Sequence, residues 1–270
     1  MRARVRDEEA GSAAAMAALR HEIINLRDFG DMPTVGGGRV CAGQLYRSGH
    51  LGQLSARGCA LLDAMGFSLV VDLRFARERE ESGSPWPTDG AVALLRVEGG
   101  AEGEGPHVAL LRSGTLDPAR IDAFYTEFYR AIPFDPFFQP LFGEIIRRLA
   151  ETNGRALIHC SVGKDRTGIL VALIQHLLGV PRDAMLADYM ETRAAPGLNQ
   201  MIPEIVARLE DRLNQPVSEA IARKMLGVEE DYLIAALDAI EAARESVEAY
   251  LEQSGVTART RERLRARLIC

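Results

Sequence analysis

Cysteine is scarce in this chain: four residues in 270, at Cys41, Cys59, Cys160 and Cys270. No two form a CxxC pair, and no His/Cys cluster has the spacing of a zinc site. We therefore expect Cys41 and Cys59 to be small core hydrophobes and Cys270 to have no structural part. The lack of a disulfide framework points to a reducing compartment, hence a cytoplasmic chain, with signal-independent secretion left open. Long apolar runs are also missing, so no segment is expected to insert stably in a membrane. The opening "MRARVRDEEAGSAAAMAALRHE" starts basic, turns acidic and supplies no apolar stretch, which reads as no signal peptide. Residues 1–22 are expected to be an N-terminal extension, flexible or a short Ala-rich helix. An excess of positive charge is absent too: 32 Lys+Arg stand against 38 Asp+Glu, a net charge of −6. That balance argues against nucleic acid as a partner, and any anionic substrate has to be met by a local positive site.

What is present suffices for one large domain over 23–270, since 47% of the residues are hydrophobic. No internal repeat stands out. Over 23–97, short strands alternate with turns. "GGGRVCAGQLYRS" predicts a turn and then a strand over 40–46. "LSARGCALLDAMG" predicts a helix ended by Gly66, and "FSLVVDLR" and "VALLRV" predict strands. Residues 98–118 are Gly-rich and read as loop. Helices follow at "DPARIDAFYTEFYRAI", with Pro118 just inside its start, and at "FFQPLFGEIIRRLAET". "GRALIHC" is then a strand and "TGILVALIQHLLG" an apolar helix. The alternation predicts an α/β core. From 181 to 270 every patterned segment reads as amphipathic helix. Arg259, Arg261, Arg263, Arg265 and Arg267 make the last one basic, expected to be a solvated face.

One stretch carries chemistry: "HCSVGKDRTG", residues 159–168. A thiol attacks only as thiolate, and thiolates are favoured at helix N-termini and beside cations. Cys160 falls between a predicted strand and a predicted helix. The intervening loop, Ser161 to Arg166, can curl its backbone N–H groups into an anion site. Gly163 permits the dihedrals or the close approach this needs. Arg166 can grip two phosphate oxygens with its planar fork. Such a ring of donors stabilises a thiolate and also the equatorial oxygens of a transferring phosphoryl group. Thr167 is expected to hydrogen-bond the sulfur and help it leave, and His159 to order the loop. Ser161, Val162, Gly163, Lys164 and Thr167 are the substrate-binding candidates.

The stretch resembles the signature of cysteine-dependent phosphatases. More narrowly, it is similar to the atypical bacterial tyrosine and phosphoinositide phosphatases, a family with a secreted mycobacterial member. "NLRDFG", "GQLYRSGHL", "VVDLR", "ADYMET" and "GVEEDYLIAALDAI" look like segments of that family in the same order, so the resemblance covers nearly the whole chain from about residue 23. It implies a parallel-rich central sheet flanked by helices. It also implies a two-step reaction without metal or cofactor, in which cysteine takes the phosphoryl group and water then releases it. Carried over by motif, Cys160 is the nucleophile and Arg166 the phosphate clamp. Lys164 is implied to favour phosphoinositide head groups, and the substrate is a phosphorylated protein or a phosphoinositide. Some members use helices as a lid, which places a candidate lid among the apolar-patterned helices of 196–226.

The leaving oxygen needs a proton, and a positioned carboxylic acid is the expected donor. Asp89 in "SPWPTDG" looks like an interrupted Trp-Pro-Asp loop but reads better as a turn. Asp72 ends a predicted strand, where ligands gather in α/β sheets. Asp165 sits inside the phosphate loop, where it needs a proton or a cationic partner. Asp72 and Asp165 both stay open as the acid. Arg47, Ser48 and Arg74 are candidates to support the loop from behind. A rhodanese-like sulfurtransferase and a phosphate-binding pseudophosphatase are the rival readings. His159, the Arg166-Thr167 pair and the wider resemblance oppose the first, and the presence of both Cys160 and Arg166 opposes the second.

Overall fold

A computed structural model of the chain describes residues 14–87, 90, 92–99, 110, 117–195 and 197–270. Asp89 and most of the expected 98–118 loop lie outside the described residues.

Five strands form the sheet among the described residues: β1 (Arg27–Asp28), β2 (Leu45–Ser48), β3 (Phe67–Asp72), β4 (Ala93–Arg96) and β5 (Arg155–His159). Their order is β1-β2-β5-β3-β4. Only β1 runs antiparallel, and the other pairings are parallel. The sheet is thus parallel-rich and flanked by helices, as expected. β5 is central because the apolar middle of "RALIH", Ala156–Ile158, is buried on both faces. Its last residue, His159, is in register with Ser48 on one side and Asp72 on the other. All three strands therefore end level, and the chain that leaves β5 enters the crevice at their carboxyl ends, where open α/β sheets bind ligands.

The helices are α1 (14–19), α2 (Ala56–Met65), α3 (Ala76–Glu81), α4 (Pro118–Ala131), α5 (Phe138–Glu151), α6 (Asp165–Leu177), α7 (Arg182–Met190), α8 (Ile202–Leu213), α9 (Glu219–Leu226), α10 (Glu230–Arg244), α11 (Val247–Glu252) and α12 (Ala258–Leu268). α6 is apolar around its circumference and buried from Thr167 to Gln175, the pattern of a core helix. α4 starts where Asp117 caps the amide of Arg120 and Pro118 fills the first position. α2 ends at Gly66, whose φ of 67° is left-handed. α1 belongs to the segment read as an extension. It buries Met16 and Leu19 in one cluster with Leu54, Leu62 and Trp86.

Three expectations are corrected. The strand predicted over 40–46 is shorter and later, because the chain turns at Gly43 (φ 72°) and only Leu45–Ser48 pairs in the sheet. The cysteines are corrected next: Cys41 and Cys270, 229 residues apart, form a disulfide with Cα atoms 5.3 Å apart. The C-terminal tail pairs with the segment before β2 through Cys270 N–H to Arg39 O (2.8 Å) and Cys41 N–H to Leu268 O (2.8 Å). That backbone ladder brings the two sulfurs together. Finally, the arginines of α12 are not simply a solvated face. Arg265 donates to Leu177 O at the end of α6 (2.6 Å), and Arg267 donates to Leu149 O near the end of α5 (3.0 Å). Cations there satisfy terminal carbonyls and complement the helix dipoles.

A bond that closes nearly the whole chain restricts the unfolded ensemble. Dithiothreitol, or Cys270→Ser, is therefore expected to remove about 2–4 kcal/mol of stability in urea titration. Turnover should not change, because Cys41 precedes β2 and the site lies beyond its far end. Protein prepared without reductant should titrate two thiols, those of the free Cys59 and Cys160. Four titratable thiols, or equal urea midpoints, would rule the clasp out.

Candidate active site

β5 ends at His159 and α6 starts at Asp165, so residues 160–164 form the loop between them. Cys160 is 2% exposed, and its sulfur accepts a hydrogen bond from Gly163 N–H at 3.2 Å. Gly163 has φ 75°, and a Cβ there would lie 2.3 Å from Ser48 O. Only glycine fits, because the loop turns back against the end of β2. The amides of the first turn of α6 have no carbonyl partners within the helix and open toward the loop. Thr167 is buried, but its Oγ1 has no hydrogen-bond partner, so the expected bond to the cysteine sulfur is not formed. His159 Nδ1 lacks a partner and lies 3.8 Å from Asp72 Oδ1, while a hydrogen bond to the Cys160 backbone ties the ring to the start of the loop. Burial pushes the His159 imidazole down to about 4, so it is neutral at pH 7.

Arg166 is held by a residue that sequence reasoning missed. Its Nη1 and Nη2 donate to the two carboxylate oxygens of Glu78 at 2.6 and 2.7 Å, and Nη1 also donates to Leu73 O at 3.0 Å. Glu78 lies in the first turn of α3, where its carboxylate also accepts from Phe75 N–H (2.9 Å) in the reciprocal manner of a capping box. Ser161 Oγ donates to the same carboxylate. Burial raises the Glu78 acid, but the hydrogen bonds and charge of Arg166 outweigh it and bring it down to about 2. The pair is thus charged at any working pH. Among the described residues Arg166 Nε has no hydrogen-bond partner, so that N–H remains for a ligand.

Behind the loop lies a buried ionic network. Arg47 donates to Gly163 O (3.0 Å) and to Asp188 Oδ2 (2.9 Å), and Asn25 Nδ2 donates to Gly163 O (2.8 Å). Arg27 donates to Asp188 Oδ1 (3.2 Å) and to Asp188 O (2.8 Å). Arg47 therefore supports the loop directly. Ser48 donates to Gly49 O instead.

In front of the loop is a cavity of 550 Å³, lined by Ser161, Val162, Lys164, Asp165 and Arg166 among others. Phe124, Tyr125 and Phe128 of α4 form an aromatic wall, joined in the lining by Ile205 and Leu209 of α8 and by Met225 and Leu226 of α9, and Tyr125 OH donates to Met225 O (2.8 Å). The two acid candidates are placed differently. Asp165 lines the cavity. Its Oδ1 accepts from Tyr129 OH at 2.8 Å and lies 3.6 Å from Lys164 Nζ. Asp72 is not among the lining residues, and both its oxygens are taken by Arg74, Oδ1 by Nε (2.9 Å) and Oδ2 by Nη2 (2.7 Å). Burial raises Asp72, but the Arg74 hydrogen bonds prevail and hold it below the usual carboxylate range. Lys164 is not a free charge on the loop rim. It is 3% exposed, donates to Met225 O (2.6 Å) and Gly227 O (3.1 Å), and packs 4.2 Å from the Tyr125 ring centroid.

A strand, a CX5R loop and an apolar helix beside an aromatic-walled cavity define a phosphatase. Within that class the chain belongs to the tyrosine phosphatase family, whose model matches residues 20–270. A tyrosine-protein phosphatase of Cupriavidus necator is 32% identical over 247 residues, covering 90% of this chain and 87% of that one. The triple specificity protein phosphatase PtpB of Mycobacterium tuberculosis is 30% identical over 277 residues, covering 91% of this chain and 96% of that one. A tyrosine-protein phosphatase of Nostoc commune is 30% identical over 152 residues, covering 56% of this chain and 48% of that one.

Proposed function

We propose that the chain hydrolyses phosphotyrosine through a cysteinyl-phosphate intermediate, with other phosphomonoesters as secondary substrates. The observation that carries this is the loop itself: Cys160 and Arg166 flank one anion-sized turn that opens into an aromatic-walled cavity. Cys160 is the nucleophile. Arg166, levelled by Glu78, and the amides from Ser161 to Thr167 hold the phosphoryl oxygens. Asp165 is the general acid, because it faces the cavity while Asp72 is locked to Arg74 outside it. Asp72 then serves to organise the end of β3. The name of the M. tuberculosis relative supports breadth beyond phosphotyrosine.

Phosphoinositide turnover is the weaker part of this reading. The Lys164 amine, read from sequence as the head-group contact, is spent on two main-chain carbonyls. Those carbonyls lie at the end of α9, and this contact supports reading α8 and α9 as a lid over the loop. No helix among the described residues is long and apolar enough to cross a membrane, and the disulfide supports an oxidising compartment over the cytoplasm.

The test is a turnover panel in the presence of a metal chelator: phosphotyrosine, phosphoserine and phosphothreonine peptides, 4-nitrophenyl phosphate and phosphoinositides. Phosphotyrosine peptides should show the highest kcat/KM, and Lys164→Ala, which removes an amine spent on the end of α9, should lower phosphoinositide and aryl phosphate turnover alike. Equal losses on both substrates would remove the head-group role of Lys164, and a loss confined to phosphoinositides would restore it. No metal-free turnover of any member would overturn the proposed function.

A further inference from the structure

Two buried tyrosines stand behind the proposed acid with no assigned role. Tyr129, on α4, donates its hydroxyl to Asp165 Oδ1 at 2.8 Å. The hydroxyl of Tyr189, on α7, lies 2.7 Å from that of Tyr129. Each phenol carries a single proton. Since Tyr129 spends its own on Asp165, the pair is held together by the proton of Tyr189. The chain of donation therefore runs one way: Tyr189 to Tyr129 to Asp165. Burial first, and then the Asp165 charge, hold both phenols well above the ordinary tyrosine range, so both remain donors. The third group near this oxygen is Lys164 Nζ, 3.6 Å away. By contrast, Oδ2 of Asp165 has no hydrogen-bond partner among the described residues, and the side chain is 18% exposed at the cavity.

We infer that Tyr129, backed by Tyr189, is a positioning residue that reserves Oδ1 as an acceptor and leaves the transferable proton on Oδ2. This rests on the reading of Asp165 as general acid. In the first step the thiolate sulfur of Cys160 forms the S–P bond as the P–O bond to the leaving group breaks. The electron pair of that bond stays on the leaving oxygen, which takes the proton from Asp165 Oδ2. The new carboxylate charge is met at once by the Tyr129 donor, already aligned and needing no reorganisation. In the second step Oδ2 recovers a proton from the water that attacks phosphorus, as the S–P bond breaks and its electron pair returns to sulfur. A hydroxyl pair that served packing alone would be satisfied by its own mutual bond. Here a second bond is directed at the one carboxylate of the loop.

The test compares phenyl phosphate, a poor leaving group, with 4-nitrophenyl phosphate, a good one. Tyr129→Phe keeps the ring and removes only the donor. It is expected to lower kcat for phenyl phosphate about tenfold and for 4-nitrophenyl phosphate about twofold at most, with KM and inhibition by inorganic phosphate unchanged. Tyr189→Phe, which does not touch Asp165, should show the same pattern more weakly and stands in if the first variant does not fold. Asp165→Asn should cost about 10²-fold or more on phenyl phosphate, and adding Tyr129→Phe to it should cost nothing further. If Asp165→Asn shows no leaving-group dependence, Asp165 is not the acid, and both readings fall. If it does, but Tyr129→Phe slows both substrates equally or adds its full loss in the Asp165→Asn background, the tyrosines are structural and this inference alone is overturned.

Discussion

Cys160→Ser is expected to give a folded protein that still binds inorganic phosphate and hydrolyses no aryl phosphate above background. The substitution changes one atom in a loop whose shape does not depend on it. Gly163 is fixed by its contact with the end of β2 and by the donors of Arg47 and Asn25 on its carbonyl. A serine oxygen accepts from Gly163 N–H as the sulfur does. Arg166 keeps its fork on Glu78, and the amides at the start of α6 are untouched. Phosphate affinity, read by calorimetry or by competitive inhibition, should therefore stay within a fewfold of the wild type. The chemical step is another matter. A serine hydroxyl gains no base here, since the sulfur it replaces is bonded by Gly163 N–H, His159 Nδ1 lies toward Asp72, and Asp165 is the proposed acid. Removing a nucleophile typically lowers kcat by on the order of 10⁴-fold or more. Acid-quenched wild type should carry phosphate on Cys160, detected by mass spectrometry. Turnover by the serine variant within tenfold of wild type would end the covalent mechanism.

How much of this was readable in advance follows from how far apart the interacting residues lie. The strand, the loop and α6 were legible because the evidence is local: an apolar run, ten consecutive residues of the motif, then another apolar run. Cys160, Gly163 and Arg166 sit within seven positions of one another, and their residue types state their chemistry. Glu78 could not be read, because it lies 88 residues before Arg166 in a short, highly charged helix that looks like solvated surface. Asp188 was hidden in the same way, 141 residues from Arg47, although its segment "ADYMET" had been noticed as a resemblance. The disulfide joins positions 229 apart, and four cysteines without a motif give no reason to pair the first with the last. The Lys164 amine illustrates a different limit. Its residue type announces a cation at a phosphate site, but its direction is set by the carbonyls at the end of α9, which no local pattern reveals.

Asp188→Ala is expected to be the most damaging single change away from the loop itself, in stability as well as activity. Two arginines converge on this one carboxylate. Arg47 is fully buried and Arg27 is 7% exposed, so neither can turn to water when the carboxylate goes. Burial, and next the charge of Arg47, already lower Arg27 to about 10 despite Asp188. Removing one partner of a buried ion pair typically costs about 3–5 kcal/mol, because the remaining charge stays desolvated and unpaired. Against a typical domain stability of about 5–15 kcal/mol, that is a large share. Activity should fall further than the loss of folded protein explains. Arg47 places Gly163 O, so a displaced guanidinium releases the residue whose amide faces the Cys160 sulfur. A urea titration together with kcat/KM per folded molecule separates the two effects. Removing the charge conflict should then restore stability: Arg27→Met should cost less in the Asp188→Ala background than in the wild type, a non-additivity expected of groups in direct contact. A fully additive double variant, or Asp188→Ala with an unchanged urea midpoint, would show that the two arginines do not depend on this carboxylate.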